Sequence, residues 1–177
     1  MSEVHITGMG MVTALGSDLE TAWSKALRGE SGARAVSSFE AGRLPIAGAG
    51  EVSLEELAAL KERLPEEYAG EGERRVLFAL DAAQSALEDA GLALGEADPV
   101  RSGVLMGTGL SSYRLEDFAA WIGEDDKFDT TRFAVEIEKT HPAGYFRNPP
   151  ERATSLISKW AGFRGPSATM TSACAAA

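Results

Sequence analysis

Gly29, Gly91 and Gly162 each stand directly after an amphipathic stripe, where a residue in the left-handed conformation ends a helix. Short β-prone runs, themselves bounded by glycine, lie between the stripes. The longest stripe is Val76, Leu80, Ala83, Leu87 and Ala90. Its spacings of four and three predict a helix from about Glu73 to Ala90 with one buried face. Past Gly91, Leu92 is expected to fold back on Leu87 in a Schellman ending. Leu19, Ala22, Trp23, Ala26 and Leu27 predict an earlier helix, opened by a capping box between Ser17 and Glu20. Ser53 with Glu56 forms a second box, and that helix stops before Pro65. Leu115, Phe118, Ala119 and Ile122 predict a helix ending at Gly123. Ala153, Leu156, Ile157, Trp160 and Ala161 predict another after Pro150-Glu151. Strands are expected at Val4–Thr7, near Ile46–Val52, at Val104–Met106 with both faces covered, and at about Ser167–Ala173. The stretch 124–149 has no regular pattern. Strands alternating with helices imply an α/β fold, its helices packed on a mixed, largely parallel sheet.

Composition narrows the class. A chain of 177 residues is most simply one domain, long enough to bury roughly 70% of its unfolded surface. A formal net charge of −10 disfavours nucleic acid or an anionic membrane as the main partner. One cysteine excludes a disulfide framework and a Cys-rich metal site. The start lacks a basic and apolar leader, and no window reaches the ~20 apolar residues that span a bilayer. A reduced, cytoplasmic setting is the expectation.

Most candidate motifs have a plain structural explanation. Gly8-Met9-Gly10 after a strand invites a dinucleotide site, but Thr13 stands where the third glycine belongs, and no acidic residue ends a second strand. Glycines that let backbone segments pack closely explain it better. Thr13, Ser111 and Ser112 have no His or Asp nearby in sequence to activate them. His5 and His141 have no ligand partner at motif spacing. Glu124, Asp125, Asp126 and Asp129 read as a solvated loop. Arg74, Arg75, Arg147, Arg152, Lys159 and Arg164 read as a solvated face, or as a local patch for an acidic partner.

Cys174 differs. It follows a β-prone run and lies among small residues, Ser172-Ala173-Cys174-Ala175-Ala176-Ala177. Such a run lets the chain turn sharply from strand to helix. A thiol there gains from the N–H groups of the helix N-terminus, which stabilise the thiolate.

Together these pieces resemble the N-terminal half of a β-ketoacyl synthase, a condensing enzyme of the thiolase-like fold. The residues that carry the resemblance are Val4-His5-Ile6-Thr7-Gly8-Met9-Gly10-Met11-Val12-Thr13-Ala14-Leu15-Gly16, the helix with Trp23, Leu27 and Gly29, Ala86–Leu92 and Ser102–Gly109. The most specific is Gly162-Phe163-Arg164-Gly165-Pro166-Ser167 leading into Ser172-Ala173-Cys174. The resemblance covers nearly the whole chain, so 1–177 is expected to be the synthase N-terminal domain.

The resemblance implies that Cys174 accepts an acyl group from an acyl carrier protein as a thioester, its own N–H helping to form the oxyanion hole. It implies that Leu110 lines the acyl pocket. It implies decarboxylative Claisen condensation with a malonyl thioester, no metal or organic cofactor, and a homodimer or a heterodimer with a related subunit. Ser172 replaces the usual Thr, Ala177 stands where Gly or Ser is common, and Glu151 falls near a position often held by Asn. The stretch 124–149 is longer and more acidic than the usual loop. The family's two catalytic histidines match neither His5 nor His141, so this chain alone is expected not to complete a condensation and to expose apolar surface. A non-catalytic chain-length-factor-like subunit and a thiolase-type enzyme acting on coenzyme A thioesters are the alternatives.

Overall fold

The computed structural model describes residues 3–42, 44–109, 118–140 and 149–172. They cluster into two compact units, one of residues 1–104 with 153–167, the other of 105–152 with 168–177.

In the first unit the helices are α1 (Leu19–Leu27), α2 (Leu54–Arg63), the single turn α3 (Glu66–Ala69), α4 (Arg74–Asp89) and α6 (Arg152–Ala161). The three nominated glycines end α1, α4 and α6, at φ 69, 67 and 71 respectively. Each closes a Schellman pair. After α4, the Gly91 N–H donates to the Glu88 carbonyl and the Leu92 N–H to the Leu87 carbonyl, both at 2.9 Å. Carbonyls left over at the helix end are thereby satisfied. The box at the start of α2 forms as expected, with the Glu56 N–H on Ser53 Oγ and the Ser53 N–H on Glu56 Oε2, each at 3.1 Å.

Three expectations fail here. The cap of α1 is Asp18, not Ser17: its carboxylate accepts the Thr21 N–H at 2.8 Å. That bond holds Asp18 below the ordinary carboxyl range, and a charged acceptor outcompetes a hydroxyl one residue away. Of the predicted α1 stripe only Ala22 is buried, while Trp23 and Leu27 are 62% and 70% exposed. Val4–Thr7 forms no strand with any partner among the described residues, and its Val4 and Ile6 side chains are exposed.

The core of this unit holds Leu60, Leu64, Tyr68, Val76, Leu77, Leu80, Ala153, Ile157 and Ala161. Full burial of residues such as Leu60, Leu77 and Leu80 stabilises by about 2 kcal/mol each. The segment Gly8–Gly10 crosses α4 over its row of alanines. A Cβ at Gly8 would strike the Ala86 carbonyl, and one at Gly10 the Ala82 carbonyl. The glycines therefore serve close backbone packing, as expected, and not a nucleotide.

A small antiparallel pair, β1 (Ala33–Arg34) and β2 (Ala49–Gly50), lies in the same unit. It is all that forms of the strand expected near Ile46–Val52. Just past β2, Glu51 accepts from the Ser37 N–H at 2.7 Å, the Ser37 hydroxyl at 3.0 Å and the Ser38 hydroxyl. Bonds from Ser38 first and the Ser37 backbone next lower its carboxyl to about 2. A carboxyl depressed on folding stabilises at pH above its ordinary value, and that contribution fades as pH falls toward its folded value. Between pH 4.5 and about 2 the Ser37 and Ser38 amides are therefore expected to lose protection in hydrogen exchange. A side-chain titration of Glu51 centred on the ordinary glutamate value would contradict this.

The second unit contains β3 (Leu105–Thr108), a 3₁₀ turn at Ala119–Trp121, α5 (Thr130–Thr140) and β4 (Ala168–Thr171). Trp121 is its buried centre at 1% exposure. Phe133 packs edge-on against Trp121 at 5.1 Å, and Phe118 and Phe128 surround Phe133 at 5.9 and 5.1 Å. The Trp121 indole N–H donates to Glu136 at 3.2 Å. The supposedly irregular stretch thus contains a helix. Its Asp129 is exposed, as expected, and also caps the helix, accepting the Arg132 N–H at 2.9 Å. Of the helix expected over Leu115–Ile122, the described part is only the 3₁₀ turn.

Candidate active site

β3 and β4 form a parallel pair with Leu105 opposite Ala168, Met106 opposite Thr169, Gly107 opposite Met170 and Thr108 opposite Thr171. This is the predicted parallel element, but its faces are open: Leu105 is 75% and Met170 57% exposed. The expectation that both faces of this strand are covered fails in this chain. Both strands run the same way, so the segments after Thr108 and Thr171 leave from the carboxyl end of the pair. That is where α/β sheets carry their reactive groups. In sequence, Leu110 follows Thr108 by two residues and Cys174 follows Thr171 by three. Leu110 and Cys174 themselves lie outside the described residues, as do Ser111, Ser112, His141 and Arg147.

The residues just before each strand are locked together. The Arg164 N–H donates to the Pro99 carbonyl at 2.7 Å and the Gly165 N–H to the Ser102 carbonyl at 2.8 Å. The Val104 N–H donates to Ser167 Oγ at 3.2 Å, and Ser167 Oγ lies 3.1 Å from Ser158 Oγ on α6. Contact is so close that a Cβ on Gly103 would strike the Pro166 carbonyl, and one on Gly165 the Ser102 and Val100 carbonyls. The Gly165-Pro166-Ser167 motif therefore has a physical role, clasping the approach to β3.

Several of the other nominated residues that are described are engaged in local contacts. The Thr13 hydroxyl donates to the Gly16 carbonyl and accepts from the Leu15 N–H, both at 3.1 Å, within a tight turn. His5 is exposed and meets Glu3 at 3.5 Å. Arg74 donates to the Val52 carbonyl at 2.6 Å and lies over the Phe78 ring, and Arg75 pairs with Glu73 at 2.8 Å. These two arginines are tied into the fold and form neither a solvated face nor an open basic patch. Asp125 pairs with Lys127 at 3.2 Å on the surface. A cavity of about 400 Å³ opens beside Leu64, Leu87, Leu92, Leu94 and Trp160. Arg63 is bonded to Asp81 and Gln84 to Glu88, while the buried Trp160 indole N–H has no hydrogen-bond partner, and the lining presents no nucleophile. Among the described residues no cluster of His, Cys, Asp or Glu has metal-binding geometry, and no helix is long and apolar enough to cross a membrane.

Sequence reasoning missed Ser167 as a bridge, because its partner Val104 lies 63 residues away. The only sequence signal was its place in the Gly-Pro-Ser run.

Comparison with solved structures defines the class of fold. A β-ketoacyl synthase from Burkholderia phymatum superposes with a TM-score of 0.66 at 23% identity, covering 99% of this chain and 41% of that one. The ishigamide ketosynthase/chain length factor superposes at 0.64 and 23% identity, covering 94% and 39%. The architecture is that of the thiolase-like ketosynthases. The family model for the β-ketoacyl synthase N-terminal domain matches residues 1–177, and the chain belongs to that family. Similar relatives include the chloroplastic 3-oxoacyl-[acyl-carrier-protein] synthase I of Hordeum vulgare, 27% identical over 97% of this chain and 36% of its own length. Others are 3-oxoacyl-[acyl-carrier-protein] synthase 2 of Coxiella burnetii and a putative polyketide β-ketoacyl synthase of Streptomyces halstedii, both 28% identical over 97% of this chain. The chain spans 38% and 39% of the length of those two relatives.

Proposed function

We propose that this chain is the nucleophile-bearing domain of a 3-oxoacyl-(acyl carrier protein) synthase, with Cys174 as acyl acceptor and Leu110 in the wall of the acyl pocket. The observation that carries this reading is the family match over residues 1–177, together with a parallel strand pair leading toward Leu110 and Cys174 from one end.

The chemistry follows from the residue types. The Cys174 thiolate attacks the carbonyl of an acyl carrier thioester, the carbon–sulfur bond to the carrier breaks, and the carrier leaves as a thiolate that takes a proton from solvent. Backbone N–H groups near a strand-to-helix elbow stabilise the oxyanion formed on the way. A malonyl carrier thioester then loses carbon dioxide. Its carbanion attacks the Cys174 thioester, forming a carbon–carbon bond and releasing the thiolate. The partners are an acyl carrier protein and a second synthase subunit, in the cytoplasm. Exposed Val4, Ile6, Leu105 and Met170 favour a covering partner.

Incubation of the protein with an acyl carrier thioester tests the reading. The expected result is an intact-mass increase of one acyl group, released by hydroxylamine and blocked by prior thiol alkylation. A free, alkylatable thiol that never takes up the acyl group would instead favour the chain-length-factor-like subunit. Uptake from coenzyme A thioesters but not from the carrier would favour the thiolase-type reading.

A further inference from the structure

Three helices of the first unit end around one cavity. Arg63 and Leu64 stand at the end of α2, Leu87 and Glu88 in the last turn of α4, and Trp160 in the last turn of α6. Leu92 and Leu94, on the chain just past the Gly91 turn, also line it. Leucine side chains and an indole make its wall mainly apolar. At about 400 Å³ the space falls near the lower end of the range for ligand cavities, about 300–1,000 Å³.

The polar groups decide what suits it. The Trp160 indole N–H is buried and has no hydrogen-bond partner. A buried donor without an acceptor is costly, and native proteins rarely leave one so. Arg63 gives Nε and Nη2 to Asp81, while its Nη1 takes no part in that fork. Both side chains therefore call for an acceptor. An anion is a poor one here. Glu88 belongs to the lining, Asp81 and Asp18 also act on Arg63, and the three helix ends add the negative ends of their dipoles. A cation suits that field but offers neither donor an acceptor. An uncharged oxygen acceptor on an apolar body meets both conditions. We propose that this cavity binds a small uncharged carbonyl compound, an alkyl amide or ester. Its oxygen accepts from the Trp160 indole N–H, and its chain lies among Leu64, Leu87 and Leu92. The site asks nothing of Cys174 and stands independently of the function proposed above.

Nuclear magnetic resonance of the native protein gives the test, read at the indole protons of its 3 tryptophans. Trp160→Phe identifies the Trp160 signal by its loss, and sequential assignment identifies it if that variant does not fold. The probes are hexanamide, hexanoate and hexylamine, which share a chain length and differ in charge at neutral pH. Hexanamide is expected to move the Trp160 indole proton downfield in a saturable manner, together with the Leu92 and Leu94 amides. The Trp121 indole, bonded to Glu136, is expected to stay in place. Hexanoate and hexylamine are expected to bind about tenfold more weakly than hexanamide, the first opposed by the local negative field and the second lacking an acceptor. Trp160→Phe keeps an apolar ring without the donor, and is expected to weaken hexanamide about tenfold, the worth of one hydrogen bond. A Trp160 indole resonance that does not move with hexanamide overturns the proposal. Equal binding of the three compounds also overturns it, since apolar contact alone would then explain the binding. So does a cross-peak from the Trp160 indole proton to bound water that hexanamide fails to displace, which would make water the occupant.

Discussion

Cys174→Ala is expected to abolish acyl uptake entirely, leaving the mass of the protein unchanged after incubation with an acyl carrier thioester. Only a thiolate among the side chains near this position combines high nucleophilicity with an appreciable population at neutral pH. The chain has one cysteine, so no second thiol can take its place. The neighbouring hydroxyl, Ser172, lacks a described base, and an alcohol without one stays protonated. The substitution is also mild for the fold, removing one sulfur from a run of Ala and Ser. Loss of uptake with an unchanged melting temperature is therefore the expected pair of results. Cys174→Ser should behave almost as badly, because a hydroxyl leaves the proton in place. If Cys174→Ala still carried a hydroxylamine-sensitive acyl group, the assignment of the nucleophile would be wrong.

Features governed by a few neighbouring residues were legible in the sequence. Gly29, Gly91 and Gly162 end helices because a left-handed residue after the last turn is a local requirement, and glycine meets it at least strain. Ser53 and Glu56 cap α2 by the same local logic. Ser17 against Asp18 shows the limit, since both are good caps and the stronger acceptor won by one position. Features that depend on distant partners were not legible. Val4–Thr7 has the composition of a strand, yet composition supplies no partner, and no strand among the described residues pairs with it. Trp23 and Leu27 mark a face as apolar without saying what covers it. The helix α5 was hidden because its burial comes from Trp121, Phe118 and Phe128, a cluster with no helical period. At the candidate site the nucleophile could be nominated from a motif. The clasp between Val104 and Ser167 could not, since it joins segments 63 residues apart.

Arg63→Ala is expected to cost the fold about 3 kcal/mol, the low end of what removing one partner from a buried ion pair costs. Asp81, on the buried face of α4, has a side chain only 2% exposed. Both its oxygens are taken by Arg63 at the end of α2, Oδ1 by Nε at 3.0 Å and Oδ2 by Nη2 at 2.9 Å. That fork raises the Arg63 pKa, the bonds to Asp81 being the largest cause. Removing Arg63 strands a carboxylate among Leu77 and Leu80, where water replaces the guanidinium poorly. The low end of the range applies because Arg63 itself is 42% exposed, so water can enter the space it vacates. Asp81→Asn should cost less than Arg63→Ala, since a neutral amide buried there carries no charge to strand. The double variant Arg63→Ala with Asp81→Leu should recover part of the loss, because it removes the uncompensated charge and fills the site with apolar volume. Denaturant unfolding of the native protein, Arg63→Ala, Asp81→Leu and the double variant measures the coupling. Equal losses from Arg63→Ala alone and from the double variant would mean that Arg63 supports α2 by packing its alkyl stem, not by neutralising Asp81.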